Sequence, residues 1–268
     1  METVGEWDAW RRRLSAVRRV PSTYTTNLYA TDEQIRRWCR AGRLHAITTD
    51  RAVLLMLADR DFHHVYHAAE DQPALGEALA MLPAGSYTAD LVGRGEALDR
   101  VCATHGASGF APHALLRRMS LMQTPAEAGE GEAELAESRD APEIAALLER
   151  LLDRFTEQLP VLDELRQAAD LENLLIVRRG AVIAGMLMYE LKGQLGHLRF
   201  WHVDDNARGE GVGRRLMSAF LIRCAHARRL MLWVIGDNTR SISIYRHYGF
   251  AEDGLLDQIM IFHKEQRQ

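Results

Sequence analysis

Arg208-Gly209-Glu210-Gly211-Val212-Gly213 is the segment of this sequence best equipped to hold an anion. Glycines let a backbone turn tightly and approach a ligand closely. Where such a turn opens a helix, successive free N–H groups form a partly positive concavity suited to a pyrophosphate. Arg214 and Arg215 add charge beside it. Alone, the segment is equally compatible with a simple loop or a dinucleotide-binding fingerprint. A second cluster, His63, His64 and His67, has metal-ligand side chains. The alternating stretch FHHVYH sends neighbours to opposite strand faces and brings no matching carboxylate or thiolate, so no metal is expected.

The elements around the glycine turn decide how it is used. Asn173 to Arg178, a turn at Arg179-Gly180 and Ala181 to Glu190 read as two strands with a tight connection, and Leu195 to Val203 as a third. From Gly211 to Arg223 the period becomes helical, with Leu216, Ala219, Phe220 and Ile222 on one side, before a strand at Leu230 to Ile235. Strand, glycine turn, helix and strand make a βαβ-like unit. A helix from about Asn238 to Tyr248, a turn at Gly249-Phe250 and a strand around Gln258 to His263 follow. Upstream, Glu134 to Asp140 reads as a strand leading to a helix near Pro142, and a second helix follows Pro160. The expected class is mixed α/β.

Two segments together carry a family resemblance. Arg208 to Gly213 fits the pattern [RQ]-x-x-G-x-[GA], and Asn238 to Phe250, NTRSISIYRHYGF, is similar to a second conserved block at the expected distance. The chain from near Glu132 to near Lys264 therefore resembles the GNAT superfamily of N-acyltransferases. The resemblance implies a central, mixed, splayed sheet flanked by helices, and acetyl-CoA or another acyl-CoA as co-substrate. It implies a cofactor site at Trp201, His202, Val203, Arg208, Gly209, Glu210, Gly211, Val212, Gly213, Arg214, Asn238, Ser241 and Tyr245. The backbone of Trp201 and Val203 would pair with the pantetheine arm, and the turn amides would hold the pyrophosphate. Tyr245 would lie near the sulfur, where a phenol is a plausible proton donor to the departing thiolate. The proline common in this turn is absent.

Amide formation needs a neutral amine, so a base must take its proton. By the resemblance that base lies near the start of the strand before the turn, at His197; Glu190 is the substitute, with His202 behind it. The alternative for His197 is an exposed turn residue beside Gly196. The acceptor, an amine, is not identified by the sequence. Asp153, Glu157, Asp163 and Glu164 are acids that could attract it or simply solvate a helix.

Residues 43 to 121 echo the same order, with strands at RLHAITTD, AVLLMLAD, HHVYHAA, YTADLV and LLRRMSLM, and helices near Ala74 to Met81 and Glu96 to His105. Ala68 to Leu75 stands where the glycine turn would be and lacks its pattern. A tandem arrangement is expected: residues 1–123 a degenerate GNAT-like domain with a helical preface over 1–42, a linker at 124–133 where Pro, Gly, Ala and Glu accumulate, and a catalytic domain over 134–268.

Composition bounds the rest. Apolar residues at 47% and charged residues at 26% over 268 positions describe a globular protein long enough for two cores. A net charge of −4 lacks the cationic footprint of nucleic-acid binding, and Arg11 to Arg13, interleaved with Trp7, Trp10 and Leu14, reads as the wet side of a helix. Cys39, Cys102 and Cys224 are odd in number and widely spaced, which fits a reducing cytoplasm. No stretch has the apolar length of a membrane span, so no membrane partner is expected. A monomer or homodimer is expected. Two other functions fit the same residues: a non-catalytic acyl-CoA sensor, and an acyltransferase charged by a carrier protein that docks on Arg214, Arg215, Arg223, Arg228 and Arg229.

Overall fold

The computed structural model describes residues 2–122 and 132–265; residues 124–131 of the expected linker lie outside them. The chain forms two compact units, Met1–Leu116 with Leu255–Gln268, and Arg117–Gly254. Hydrogen bonding rather than chain order sets these limits, because the C-terminal strand pairs with a strand of the first unit over Leu256↔Gly93 to Lys264↔Gly85.

In the first unit the order is β1 (Glu2–Thr3), α1 (Trp7–Ala16), β2 (Thr25–Thr26), α2 (Asp32–Arg40), β3 (Leu44–Thr48), β4 (Ala52–Asp59), β5 (Phe62–Ala69), α3 (Gln72–Ala80), β6 (Gly85–Gly93), α4 (Gly95–Ala107) and β7 (Ala111–Met122). Local signals set the helix starts. Thr31 and Gln34 form a reciprocal capping box on α2, and Asp71 caps α3 ahead of Pro73. The near-continuous apolar run of β4 reflects burial on both faces. Leu54 and Met56 join one core with α3 and α4, whereas Val53, Leu55 and Leu57 join another with Trp7, Trp10, Ile35 and Trp38 of α1 and α2.

The second unit runs β8 (Glu134–Leu135), α5 (Ala141–Leu151), α6 (Leu162–Asp170), β9 (Leu174–Arg179), β10 (Val182–Lys192), β11 (Leu195–Val203), α7 (Val212–Arg223), β12 (Arg229–Ile235) and α8 (Thr239–His247), after which β13 (Ala251–Lys264) passes from Leu255 onward into the first unit. It repeats the same plan. Leu174 and Ile176 of β9 face α5 and α6, and Leu175 and Val177 face α7 and α8. β10 lies antiparallel between β9 and β11, and β11 pairs parallel with β12. That parallel pairing covers only Leu195↔Arg229 to Leu198↔Leu232. Beyond it the two strands part, which is the splay expected of this sheet.

Among the described residues no helix is long and apolar enough to cross a membrane. Cys39, Cys102 and Cys224 are free thiols; burial pushes Cys102 up to about 11 and Cys224 up to about 12, so both are poor nucleophiles. Two of the three arginines of α1 are partnered: Arg11 meets Asp32 at 3.3 Å and Arg13 meets Glu2 at 3.1 Å.

Candidate active site

The splay between β11 and β12 opens into a cleft of about 720 Å³ within the second unit. Its floor is set by a bulge. Tyr189 of β10 faces Leu198 and the preceding Met188 faces Phe200, so Arg199 is an extra residue on β11. Leu198 points to the α7 side, but after the bulge Phe200 points to the α5 side and Trp201 and Val203 pack on the α7 side. The bulge thus re-aims the strand's last residues at the cleft.

Glycine shapes the other wall. A Cβ at Gly185 of β10 would stand 2.7 Å from Val212 Cγ1 and 2.9 Å from the His202 carbonyl oxygen, so only glycine lets the first residue of α7 press against the sheet. α7 starts from Gly211 with φ at 79° and no side-chain cap. The first-turn N–H groups of an α-helix have no intrahelical partner, and here they open on the cleft together with Gly209, Arg208, Arg214 and Arg240. Uncapped amides and three guanidinium-bearing side chains make this end of the cleft an anion seat.

At the other end stands Tyr245 of α8. Its ring lies 5.5 Å from the Trp201 ring and 6.0 Å from Phe250, and the residue is 8% exposed. Burial, and after it the negative charge of Glu157, pushes its phenol above the ordinary range, so it is protonated at neutral pH. Asn238 caps α8 by accepting from the Ser241 N–H at 3.0 Å, which leaves its Nδ2 hydrogens for a ligand.

Of the residues expected to hold the cofactor, all but Glu210 line this cleft. Glu210 turns aside and pairs with Arg179 at 2.9 Å, which removes a carboxylate from the anion seat. The two expected bases, His197 and Glu190, are not among the lining residues. Burial, with Arg199 and Lys192 nearby, depresses His197 to about 4 despite Glu190. Glu190 is held 2.9 Å from Arg199; although burial opposes ionisation, that guanidinium keeps its carboxyl below the usual range. Both are therefore weak bases away from the cleft. His202 does line it, and burial takes it down to about 4.

Glu157 is the carboxylate at the cleft. It follows α5, on a turn organised by Asp153, whose side chain accepts from Thr156 Oγ1 at 2.7 Å and from the Phe155 N–H at 3.2 Å while its carbonyl accepts from the Glu157 N–H at 3.0 Å. In the sequence Glu157 is one of four acids between Asp153 and Glu164. What singles it out is this Asp-nucleated turn, a local signal in D-R-F-T-E. The histidines of the first unit are dispersed: His64 Nε2 lies 3.2 Å from Asp59, and His67 Nε2 lies 3.1 Å from Thr25 Oγ1. Among the described residues no group of three or more His, Cys, Asp or Glu is placed to hold a metal ion.

Residues 141–250 match the model of the acetyltransferase (GNAT) family. Over these residues the chain resembles a GNAT domain. A stretch of 74 residues, 27% of this chain, is 34% identical to a mycothiol acetyltransferase of Beutenbergia cavernae, and it spans only 25% of that protein's length. Among solved structures, a GCN5-related N-acetyltransferase from Sphaerobacter thermophilus is similar with a TM-score of 0.56 at 14% identity, over 90% of this chain and 88% of that one. A tandem GNAT protein from the clavulanic acid biosynthesis pathway is similar with a TM-score of 0.55 at 13% identity, over 81% and 80% of the two chains. At such identities the likeness is one of fold. It extends beyond the GNAT domain to the first unit, which repeats the plan of the second.

Proposed function

We propose that the GNAT domain, read from the sequence as residues 134–268, transfers an acetyl or other short acyl group from acyl-CoA to a primary amine by direct attack in a ternary complex. The observation that carries the reading is a single cleft with an uncapped helix N-terminus at one end, a protonated phenol at the other and unpaired strand backbone between them. The pyrophosphate sits on the amides of Gly211 to Arg214, and the pantetheine amides pair with the β11 backbone at Trp201 and Val203. This places the thioester beside Tyr245.

Glu157 supplies the carboxylate. It attracts the acceptor ammonium, which gives its first proton to solvent to become the neutral amine; Glu157 then takes the second proton from nitrogen as the lone pair attacks the thioester carbonyl carbon, a task for which His197 and Glu190 are badly placed. The C–S bond then breaks and the electron pair leaves on sulfur. A thiol titrates near 8.5 and an ordinary phenol near 10, so a phenol raised further by burial does not give up its proton to the thiolate. Tyr245 instead donates a hydrogen bond to sulfur as charge develops, and the thiolate takes its proton from solvent. Holding the amine against the thioester supplies much of the rate.

Calorimetric titration with acetyl-CoA, followed by a panel of primary amines with release of free thiol as readout, tests the assignment. Binding that is lost in Gly211→Val, with thiol release dependent on both amine and Glu157, is the expected result. Binding without turnover on any amine would leave a sensor, and no binding of free acyl-CoA would leave a carrier-bound donor.

A further inference from the structure

Each unit contains one parallel strand pair that opens into a V. In the second unit it is β11 with β12, and the cleft lies in the opening. In the first it is β5 with β6, whose pairing covers only His63↔Tyr87 and His64↔Thr88. Past that point the backbone of β5 would present the same row of unpaired groups that β11 offers to a ligand.

The chain fills that row itself. β2 lies antiparallel on β5, with Thr25 opposite Ala69 and Thr26 opposite Ala68. Asn27 then bridges the V. Its side chain accepts from the His67 N–H at 2.6 Å, and its Nδ2 donates to the Val65 carbonyl at 3.0 Å and, across the opening, to the Asp90 carbonyl of β6 at 3.1 Å. The His67 carbonyl accepts from the Asn27 N–H at 3.3 Å and from Thr26 Oγ1 at 2.8 Å. Asn27 is 4% exposed, so these bonds form away from water, where a polar group left without its partner is destabilising.

A cavity of about 500 Å³ remains beside the strap, and the helix end that borders it is capped. α3 follows β5 as α7 follows β11, but its N-cap is Asp71, whose carboxylate accepts from the Ala74 N–H at 2.9 Å and pairs with Arg51. Pro73 removes a further donor from the first turn. A carboxylate on the helix N-terminus takes an amide that a pyrophosphate would need and repels the pyrophosphate besides.

We infer that Thr25–Asn27 and Asp71 act as a built-in ligand of the first unit, the strap in place of a pantetheine arm and the carboxylate in place of a pyrophosphate, so that the chain takes one acyl-CoA and not two. The comparison with acyl-CoA rests on the function proposed for the second unit; the strap itself stands on the hydrogen bonds of the first.

The test combines stoichiometry with hydrogen exchange on the full-length chain. Titration with acetyl-CoA gives one mole per mole of chain, and Gly211→Val in the second unit removes all of it. The His67 amide exchanges as slowly as the interior of β4, with or without acetyl-CoA. Asn27→Ala speeds it at least tenfold and leaves the stoichiometry at one, because Asp71 still holds the helix end. Where Asn27→Ala does not fold, the near-isosteric Thr26→Val gives a smaller acceleration at His67. Two moles bound, residual binding in Gly211→Val, or rapid exchange at His67 in the wild-type chain would each overturn the inference. A wild type that binds no acetyl-CoA at all removes the proposed function, and the His67 exchange rate then decides the strap alone.

Discussion

The Trp201 indole lies 5.5 Å from the Tyr245 ring, tilted 56° to it, and joins the last turn of a splayed strand to the helix that carries the phenol. Trp201 also packs 6.0 Å from Tyr248, so the aromatic contact spans two residues of the α8 end. The phenol is thus held by ring packing, and among the described residues none hydrogen-bonds its O–H, which faces the cleft. Tyr245→Phe keeps the packing and removes only the O–H. We expect acetyl-CoA affinity within a factor of two of wild type and turnover reduced on the order of 10²-fold, measured by titration and by steady-state thiol release. Equal turnover in the two proteins would remove Tyr245 from the chemistry.

Glu157→Gln keeps the shape of the side chain and removes its charge. Its turn is nucleated by Asp153, which the substitution leaves intact. The expected effect is a fall in kcat/KM for the amine on the order of 10²-fold with an unchanged KM for acetyl-CoA. The same substitution also takes away the carboxylate that helps hold the Tyr245 phenol up, so ultraviolet titration of that phenol shows a lower midpoint in the variant. His197→Gln and Glu190→Gln serve as comparisons and change kcat/KM by less than Glu157→Gln.

Gly185→Ala tests the close approach of sheet and helix. The added methyl meets Val212 Cγ1 and the backbone oxygen of His202 inside contact distance, and a backbone atom does not swing away as a flexible side chain does. Overpacking of this kind costs about 1–3 kcal/mol. If the strain is relieved by moving the start of α7, the anion seat moves with it, and acetyl-CoA affinity falls about tenfold for each 1.4 kcal/mol lost. Gly76→Ala in α3, whose methyl would find only Thr104 at an ordinary 3.9 Å, is the control and binds as wild type. The order of the two variants in a titration series is the readout.

The order of strands and helices was legible because each element announces itself: β4 is a continuous apolar run, α3 opens on Asp71 and Pro73, and α7 follows a glycine turn. The lining of the cleft was legible for the same reason, since one motif places Gly211 and another places Tyr245. Three features were hidden. Nothing in LGHLRFWHV marks Arg199 as an extra residue, because a bulge is defined by the partner strand, and without it the facing of His197 and Trp201 cannot be assigned. The strap at Thr25–Thr26 is too short for any period to register, and it pairs with residues more than 40 positions away. Strand β13 completes the first unit from the far end of the chain, a long-range pairing that composition along the chain does not encode.

Acid stability turns on a buried histidine that takes no part in the chemistry. His105 in α4 is fully buried, its Nδ1 lies 2.9 Å from the Val101 carbonyl, and its ring is 5.4 Å from that of His67. Burial lowers His105 to about 4 and lowers His67 further below its ordinary 6.5. With the folded-state value depressed, the unfolded chain binds more protons between about 4 and 6.5, so stability is complete above that window and is lost as pH falls through it. For His105 alone the shift corresponds to about 3 kcal/mol. Denaturant unfolding of the full chain from pH 8 to 4.5 therefore shows a midpoint that is flat above pH 7 and declines below 6.5. His105→Leu removes the titrating group and shallows the decline, while its stability at pH 8 reports only the changed packing. A midpoint independent of pH down to 4.5 would show that the ring is reached by water in the folded state, contrary to its burial.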